Sequence, residues 1–379
     1  MNICIVSPGF PTSKTIDFVF VEQLCKAIAE LGNKVTIIAP QSITKSLIRK
    51  VPIVKFRSII KVKNGNNITL YRPIYLTYGN FKRLKKTNLN NFNKSVLNVL
   101  EKIKEMPDFC YGHFWESAFS IYTYAKKNRI PLFVSSGEDH ITLHKNYPSE
   151  ELNGFIEYVD GVISVSTKNK NEIIECGLAK VDKCNVIPNS IDPSLFHVKN
   201  KSVVRKKLNL SIDDFIICFV GQFNERKGVM RLSKALESLN DNSIKAFFIG
   251  TGNEMPDYNE VLFQGRVKHD LLPDYLNCAD VFVLPTSSEG CSNAIIEAMA
   301  CGLPIISSDL PFNYDILDQD NSILVNPYDI SAIAKAIIFL KENVEIRSKM
   351  SKSSIKKSLE LTLPKRAQKI IKYIQTQIK

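Results

Sequence analysis

Two glutamates of this 379-residue sequence, Glu289 and Glu297, carry carboxylates that can each accept hydrogen bonds from two vicinal hydroxyls of a sugar ring or a ribose. They lie in the segment 286–304, where a strand-like run has ended, a polar turn follows and a helix-like run begins at Asn293. A helix start of this kind offers free backbone amides and the positive end of the helix dipole, which suit a diphosphate. Ser292 is predicted to cap the helix. The alternative is a capped helix with two surface glutamates.

Two glycine-bearing loops follow strand-like runs in the same half of the chain. The loop 221–228 carries Arg226 and Lys227, whose cations can neutralise phosphate. Its Lys-Gly order is not that of a P-loop, and no Gly-x-Gly-x-x-Gly opens either half, which disfavours a dinucleotide site. The second loop, 249–254, contains a Gly-x-Gly. Taken alone, each loop is also compatible with an ordinary solvated turn.

Polar side chains end two strand-like runs in the first half of the chain. His113 ends one, and Glu138 and Asp139 follow the other. A single histidine is more often structural than functional. His140 and His144 are four residues apart, but no third ligand stands at a useful spacing, so no metal site is expected. Neither a Gly-x-Ser-x-Gly elbow nor a close catalytic serine–histidine pair is present in the sequence.

The elements that would hold these residues alternate between strand and helix twice along the chain. Runs such as 215–220 are apolar throughout, which is typical of central strands in a parallel sheet covered on both faces. The pattern predicts an α/β protein with two doubly wound, Rossmann-like domains, 1–195 and 196–355, and ligands in the cleft between them. It also predicts a strand over 53–59 and a basic helical tail over 351–378.

Positive charge is concentrated at the two ends of the chain. The net charge is +12; residues 1–110 contain 18 Lys and Arg against 6 Asp and Glu, and residues 341–379 contain 11 against 3. This favours an anionic membrane surface or a lipid diphosphate as a partner, the alternative being a solvated lysine-rich surface. No nucleic-acid-binding pattern is present, so nucleic acid is not expected. Without a leader pattern or a membrane-spanning run, we expect a cytoplasmic protein with reduced cysteines.

Together these segments resemble glycosyltransferase family 4, whose members are retaining enzymes of the GT-B fold. The resemblance extends over nearly the whole chain. Its most specific part is the Glu-x7-Glu pair followed by Ala-Met-Ala-x-Gly-x-Pro, which ends at Pro304. The supporting segments are Gly221–Gly228, Gly250–Gly252, Phe263–Val267, Ile187–Asp192, Phe20–Gln23 and Asp108–Trp115.

The resemblance implies that the second domain binds a UDP-sugar or GDP-sugar donor and that no cofactor is needed. It implies that Glu297 holds the ribose hydroxyls, Glu289 the transferred sugar and Lys227 the diphosphate. His113 would face the donor sugar from the first domain. The other implied donor-site residues are Gly221, Gln222, Arg226, Gly250, Gly252, Arg266, Val267, Gly290, Cys291, Ser292, Asn293 and Ala294. The implied acceptor-side residues are Gly9, Phe10, Glu138, Asp139 and Asn189.

The resemblance also implies the reaction and its setting. A hexose-type sugar would pass, with retention and without a metal, to a saccharide or lipid-linked acceptor in the biosynthesis of a capsule, O-antigen or teichuronic-type polysaccharide. We expect front-face displacement in which the departing diphosphate accepts the acceptor proton, while the protein supplies positioning and charge stabilisation. A final helix, 356–379, would cross back to the basic first domain, which fits peripheral contact with the inner face of the cell membrane.

Three positions depart from the family pattern. Gln222 stands in place of the usual arginine and Ser190 in place of the usual glycine, and Pro8-Gly9-Phe10 replaces the frequent glycine pair. These departures leave open a non-catalytic, nucleotide-sugar-binding subunit of a polysaccharide assembly complex. An epimerase or phosphorylase of the same fold and a basic nucleic-acid-binding protein are further alternatives.

Overall fold

The computed structural model describes residues 1–12, 17–79 and 82–378. The chain divides into two compact units, one formed by Met1–Ile187 with Leu363–Lys379 and the other by Pro188–Thr362. Among these described residues, no helix is both long and apolar enough to cross a bilayer.

The unit boundaries differ from those expected at 195/196 and 355/356. The second unit begins at Pro188 because the segment after it is bonded to the end of the same unit. Ile191 donates its backbone N–H to the carbonyl of Leu361 at 2.9 Å and forms a β-bridge with Thr362. These contacts join the first and last segments of the second unit, so both points at which the chain passes between the units lie next to this bridge.

The first unit is built on an eight-stranded sheet and a separate two-stranded pair. Its strands are β1 (Asn2–Val6), β2 (Lys34–Ile38), β3 (Gln41–Ser42), β4 (Arg57–Lys61), β5 (Asn67–Tyr71), β6 (Ile74–Tyr75), β7 (Phe109–His113), β8 (Leu132–Ser136), β9 (Gly161–Ser164) and β10 (Cys184–Val186). The sheet order is β10-β9-β8-β7-β1-β2-β5-β4, and β3 pairs with β6. The β4–β5 pair is antiparallel and the other pairs are parallel.

The strand predicted over 53–59 is wrong in its first half, since β4 begins only at Arg57. The backbone of Val54 is bonded to a side chain instead of a neighbouring strand. Its N–H donates to Gln41 Oε1 at 3.0 Å, and its carbonyl accepts from Gln41 Nε2 at 2.8 Å. A glutamine that satisfies both backbone groups of one residue removes the need for a strand partner there.

Helices cover both faces of the first sheet. They are α1 (Val19–Glu30), α2 (Ile43–Arg49), α3 (Lys85–Leu100), α4 (Trp115–Asn128), α5 (Leu143–Asn146), α6 (Ser149–Tyr158) and α7 (Thr167–Glu175). Along β1, Ile3 and Ile5 join the core that includes α1, whereas Cys4 and Val6 join the core that includes α3 and α4. This alternation is the two-residue period of a strand buried on both faces. The first unit is therefore doubly wound, as predicted.

The second unit repeats the pattern with a six-stranded, fully parallel sheet. Its strands are β11 (Phe215–Val220), β12 (Ile244–Ile249), β13 (Val261–Gly265), β14 (Val281–Leu284), β15 (Ile305–Ser308) and β16 (Ser322–Val325), in the order β13-β12-β11-β14-β15-β16. Its helices are α8 (Lys201–Lys207), α9 (Val229–Leu239), α10 (Leu272–Cys278), α11 (Asn293–Ala300), α12 (Ile330–Glu342) and α13 (Val344–Ser358).

The basic tail predicted as one helix is two helices. The helix α13 ends at Ser358, and a non-helical turn over 359–362 leads to α14 (Leu363–Gln377). Pro364 lies in the first turn of α14, where a proline is tolerated because a backbone N–H there has no helical partner. The helix α13 packs on α11 in the second unit, whereas α14 packs on α1 in the first. The Tyr373 hydroxyl in α14 donates to the carbonyl of Lys183 at 2.6 Å. The C-terminal helix thus belongs to the first unit.

The order of strands reverses once in each sheet, between β1 and β7 in the first unit and between β11 and β14 in the second. In open parallel sheets, loops that leave adjacent strands in opposite directions open a crevice at the carboxyl edge, and ligands bind there. His113 ends β7, and the loops 221–228 and 285–292 leave β11 and β14. The sheet topology therefore places each main group of predicted site residues at a reversal point.

The helix α4 lies against β7 at a contact that requires a glycine. A Cβ atom on Gly112 would lie 2.3 Å from the backbone N and Cα of Ala118. We expect Gly112→Ala to lower the free energy of unfolding by roughly 3 kcal/mol, because neither backbone can move away without disturbing the sheet. Gly65→Ala is the control. It has a positive φ of 85° but open space, so a loss of about 1 kcal/mol is expected. Urea unfolding measures both, and equal losses would contradict the close packing.

Candidate functional site

The two loops at the second reversal point are bonded to each other. Within this pair of loops, the carbonyl of Arg226 accepts from Ser287 N at 2.8 Å, and the Arg226 guanidinium donates to the carbonyl of Ser288 at 2.7 Å. Gly228 has a φ of 76°, and a Cβ there would lie 2.4 Å from the carbonyl oxygen of Pro285. The loop after β11 can therefore approach the loop after β14 only with glycine at this position.

The carboxylate of Glu289 is the centre of the site. Glu289 is only 6% exposed, and its Oε1 accepts hydrogen bonds from Lys227 Nζ and, at 3.0 Å, from Thr286 Oγ1. Arg226 Nη1 lies 3.3 Å from the same oxygen. Two cations from one loop thus compensate a buried anion on the other, which fixes the direction of the carboxylate and keeps both cations at the crevice.

The start of α11 offers hydrogen-bonding groups that the protein does not use internally. Ser292 occupies the N-cap position, as predicted, but its hydroxyl caps nothing. Among the described residues, no partner reaches the buried Ser292 Oγ or Asn293 Oδ1. The first amides of a helix have no helical acceptor and carry partial positive charge. The predicted segment Gly290–Ala294 is therefore an open end of a helix beside Lys227.

Glu297 lies just over one turn into α11 and is paired with a residue that the sequence did not indicate. Its Oε1 lies 3.2 Å from His269 Nε2, and the rings of His269 and Phe196 pack in an edge-to-face arrangement with centroids 5.2 Å apart. The hydrogen bond with Glu297 raises the pKa of His269, against the opposing effect of burial. The available signal was position: His269 stands two residues beyond the predicted 265–267 loop.

The glycine loops meet the same crevice. A Cβ on Gly250 would lie 1.8 Å from the carbonyl oxygen of Gly221, and one on Gly252 would lie 2.0 Å from that of Phe223. The N–H of Gly250 donates to the carbonyl of Gly265 at 2.8 Å. These contacts bring three predicted donor-site loops together. Of the remaining predicted residues, Gln222 and Arg266 are exposed, and Val267 is partly exposed.

Asn189 was predicted on the acceptor side, and the structure places it elsewhere. It belongs to the second unit, where its Nδ2 donates to the carbonyl of Cys291 at 3.0 Å. The prediction failed because it assigned all of 1–195 to the first domain, whereas the chain enters the second unit at Pro188. Asn189 supports the loop before α11, within the predicted donor site.

His113 is a neutral, buried histidine at the carboxyl end of β7. It is 4% exposed, and its ring packs against Phe20 and Phe114 with centroids 5.4 and 4.7 Å away. Burial, with the nearby positive charge of Arg366, lowers its pKa to about 3. Its Nδ1 has no hydrogen-bond partner among the described residues. At neutral pH, His113 is therefore uncharged, and its Nδ1 can form a hydrogen bond with a ligand.

Glu138 caps the turn beside His113. Its Oε2 accepts from Ser136 Oγ at 2.8 Å and from Gly137 N at 2.9 Å, and its Oε1 accepts from Trp115 N at 3.3 Å. Burial outweighs these bonds and raises the pKa of Glu138 to about 7. Phe114, which lies between His113 and Trp115 in the chain, has a φ of 76°, an uncommon and strained value for a residue with a bulky side chain. Strain of this kind persists where surrounding contacts hold the backbone.

A cavity of about 660 Å³ opens next to Glu138 within the first unit. Its walls combine aromatic rings with charged groups of both signs. They include Phe18, Phe92, Phe114, Lys45, Lys85 and Glu116. Gly9 and Phe10 lie in the loop that follows β1, and β1 is the neighbour of β7 in the sheet. Asp139 is the residue after Glu138. The predicted acceptor-side residues of the first unit therefore lie at its reversal point.

Family models match both units. The model described as Glycosyltransferase Family 4 matches residues 18–195, and the one described as Glycosyl transferases group 1 matches residues 214–343. Together these matches span more than half of the chain. The chain belongs to glycosyltransferase family 4. The resemblance read from the Glu-x7-Glu segment and its supporting loops is thereby confirmed.

Similar proteins agree with this assignment. The chain is 27% identical over 350 residues, 89% of its length and 88% of the relative's, to TuaC of Bacillus subtilis strain 168, assigned as a teichuronic acid biosynthesis glycosyltransferase. It is 30% identical over 191 residues, 46% of its length and 49% of the relative's, to the UDP-Gal:alpha-D-GlcNAc-diphosphoundecaprenol alpha-1,3-galactosyltransferase of Escherichia coli.

Solved structures show the same fold. Sucrose-phosphate synthase from Thermosynechococcus elongatus has a TM-score of 0.79 at 20% identity, over 99% of this chain and 98% of that one. The family 4 glycosyltransferase described here thus has the GT-B fold, with two Rossmann-like α/β units. In the part of the chain that the structure describes, no group of three or more histidine, cysteine or acidic side chains is arranged to hold a metal ion.

The pairing of His269 with Glu297 predicts a pH-dependent contribution to stability. A histidine whose pKa is raised by folding stabilises the protein fully below its unfolded value of about 6.5 and loses that contribution as the pH rises through the folded value. The difference in unfolding free energy between wild type and His269→Gln should therefore reach up to about 1 kcal/mol at acid pH and shrink at alkaline pH. Urea unfolding across the pH range measures it, with the exposed His197→Gln as control. A constant difference would contradict the ion pair.

Proposed function

We propose that this glycosyltransferase moves a hexose-type sugar from a UDP-sugar to a saccharide or lipid-linked acceptor, with retention of anomeric configuration, in cell-surface polysaccharide biosynthesis. The observation that carries the proposal is the buried Glu289 carboxylate, held by Lys227 and Arg226 at the open start of α11. The names of the relatives support it, since they refer to teichuronic acid biosynthesis, to UDP-Gal and to a diphosphoundecaprenol-linked acceptor.

The donor would bind across the carboxyl edge of the second sheet. The diphosphate accepts hydrogen bonds from the first amides of α11 and from the Ser292 hydroxyl, which no described residue engages. Lys227 and Arg226 neutralise it, and Arg226 supplies the cation that Gln222 does not. Glu297, held by His269, binds the ribose hydroxyls. The loops that contain Gly250 and Val267 border the base.

The reaction would proceed by front-face displacement. As the bond between the anomeric carbon and the diphosphate breaks, Lys227 and the helix amides stabilise the negative charge that grows on the leaving oxygen. The acceptor hydroxyl attacks from the same face and gives its proton to a leaving diphosphate oxygen. Glu289 positions the hydroxyls of the transferred sugar, and the neutral His113 supplies one further hydrogen bond to it. Catalysis then rests on positioning and charge stabilisation, and no divalent metal is required.

The acceptor would bind to the first unit, in the cavity beside Glu138. A carboxyl group with a pKa of about 7 exists in both protonation states near neutral pH, so it can donate to or accept from a sugar hydroxyl. Lys45 and Lys85 suit the diphosphate of a lipid-linked acceptor, and the aromatic walls suit its first apolar groups. An acceptor held in a bilayer requires a cytoplasmic enzyme in peripheral contact with the inner face of the membrane, which is part of this proposal.

The first test is the stabilisation of the protein by nucleotides. A nucleotide present at about 100 times its Kd adds roughly 2.7 kcal/mol to the stability of the folded protein, which is a clear rise in Tm. We expect UDP to raise the Tm of wild type more than GDP, ADP or CMP does. Glu297→Gln should lose most of this rise, because an amide cannot accept from two ribose hydroxyls in the same way.

Glu237→Gln is the matched control, because Glu237 is an exposed glutamate on α9 of the same unit. It should keep the full response to UDP. An unchanged rise in Glu297→Gln would refute the ribose role of this residue. If no nucleotide shifts the Tm of wild type, the donor site as proposed does not exist.

The second test is the transfer itself, followed as UDP released from UDP-galactose or UDP-glucose with GlcNAc-diphosphoundecaprenol as the acceptor probe. Glu289→Gln and Lys227→Met should each lower kcat by about 100-fold or more, as expected for loss of one group that acts on the transition state. Lys234→Met, which changes an exposed lysine on α9, is the control and should keep wild-type kcat.

The same assay checks the stereochemistry and the metal requirement. NMR of the product should show the anomeric configuration of the donor, and EDTA should leave kcat unchanged. Inversion would exclude the front-face mechanism. Near-wild-type turnover in both site variants would exclude the assigned roles of Glu289 and Lys227.

A further inference from the structure

The first unit carries a cluster of exposed apolar side chains around α2. Leu47 and Ile48, adjacent on this helix, are 74% and 73% exposed. The segments 51–56 and 74–76 add further exposed apolar residues. The group as a whole, called the α2 surface below, comprises Leu47, Ile48, Ile53, Phe56, Ile74 and Leu76. Single exposed apolar residues are ordinary, but a cluster on adjoining elements indicates a binding surface.

The elements that carry the α2 surface are bonded together. The chain after α2 is held by a hydrogen bond from Val51 N to the carbonyl of Ser46 at 3.0 Å. Gln41 binds both backbone groups of Val54, and β3 pairs with β6, which places Gln41 opposite Ile74. The six apolar residues therefore belong to one connected part of the first unit and not to separate loops.

The charge of this region has a single sign. Residues 31–100 contain 14 lysines and arginines and no aspartate or glutamate. Lys45, Lys50 and Lys55 are exposed beside the α2 surface, and none of the three forms an ion pair with a described residue. A protein partner with a purely apolar face would leave these cations uncompensated, whereas an anionic lipid surface matches both the charge and the apolar groups.

We propose that the α2 surface is the membrane-docking surface of this enzyme and that its partner is a bilayer containing anionic lipid. The lysines and arginines bring the first unit to the negatively charged headgroups. Leu47, Ile48 and their neighbours then enter the boundary between headgroups and acyl chains, which removes their apolar area from water.

The α2 surface adjoins the cavity proposed to bind the acceptor. Lys45 and Ile48 of α2 also line the 660 Å³ cavity that contains Glu138. A lipid-linked acceptor in the docked bilayer could therefore extend its diphosphate and sugar into the cavity along the side of α2. This last step rests on the lipid-linked acceptor of the proposed function, and the docking names the surface for the membrane contact included there.

The test is co-sedimentation of the full chain with vesicles in the absence of nucleotide and acceptor. The probes are phosphatidylcholine alone and phosphatidylcholine with roughly one-third phosphatidylglycerol, at low and high salt. We expect binding to the mixed vesicles, weakened by salt, and little binding to phosphatidylcholine. The double variant Lys50→Gln with Lys55→Gln should weaken binding by about fivefold for each lysine, since each contributes about 1 kcal/mol near an anionic surface. The double variant Leu47→Ser with Ile53→Ser should weaken it by at least roughly tenfold.

Matched controls remove the same charge and the same apolar groups from the second unit. They are the double variants Lys352→Gln with Lys356→Gln and Val203→Ser with Leu359→Ser, all at exposed positions. Controls that weaken binding as much as the α2 variants would overturn the proposal, as would equal binding to both kinds of vesicle. The Tm rise with UDP, measured on the same variants, reports the donor site separately, so failure of the docking and failure of the proposed function give different results.

Discussion

The burial of the Glu289 carboxylate is the constraint on which the rest of the donor site depends. A buried anion costs several kcal/mol unless cations and hydrogen bonds compensate it. The compensating cations, Lys227 and Arg226, come from a loop that is 62 residues away in sequence. They can reach Glu289 only because β14 crosses back to lie beside β11, and because Gly228 allows the two loops to touch. Sheet order, glycine position and site charge are thus one connected arrangement.

The sequence was sufficient for the features that have local causes. Buried parallel strands are apolar throughout, so β11 and β14 were predicted closely, and the α11 segment was placed from its polar turn and helical run. Features that depend on contacts between residues distant in the sequence could not be predicted from it. The pairing of Glu297 with His269, the uncapped Ser292 and the side-chain support of Val54 each depend on which atoms the folded chain brings together. Local propensity carries no information about such partners.

In the first unit, the sequence predicted where the site residues lie but not their protonation states. His113 and Glu138 were identified because they follow strand-like runs, and they lie at the reversal point as expected. Their protonation could not be predicted, because it depends on burial. The same loss of solvent keeps His113 neutral and raises the pKa of Glu138 towards neutrality. Both shifts favour the uncharged forms of the two side chains, and these forms still offer hydrogen-bonding groups to sugar hydroxyls.

The two units use positive charge in opposite ways, and this follows from the ligands proposed for them. In the second unit, Lys227 and Arg226 are held at a buried carboxylate, so their positions are fixed before a diphosphate arrives and little reorganisation is needed on binding. Around α2, the exposed Lys45, Lys50 and Lys55 form no ion pair with a described residue. Fixed geometry suits a small ligand with defined phosphate positions, whereas unpaired charge suits a fluid surface whose headgroups have none. A chain of +12 can therefore serve both a diphosphate and a membrane without the two sites competing for the same cations.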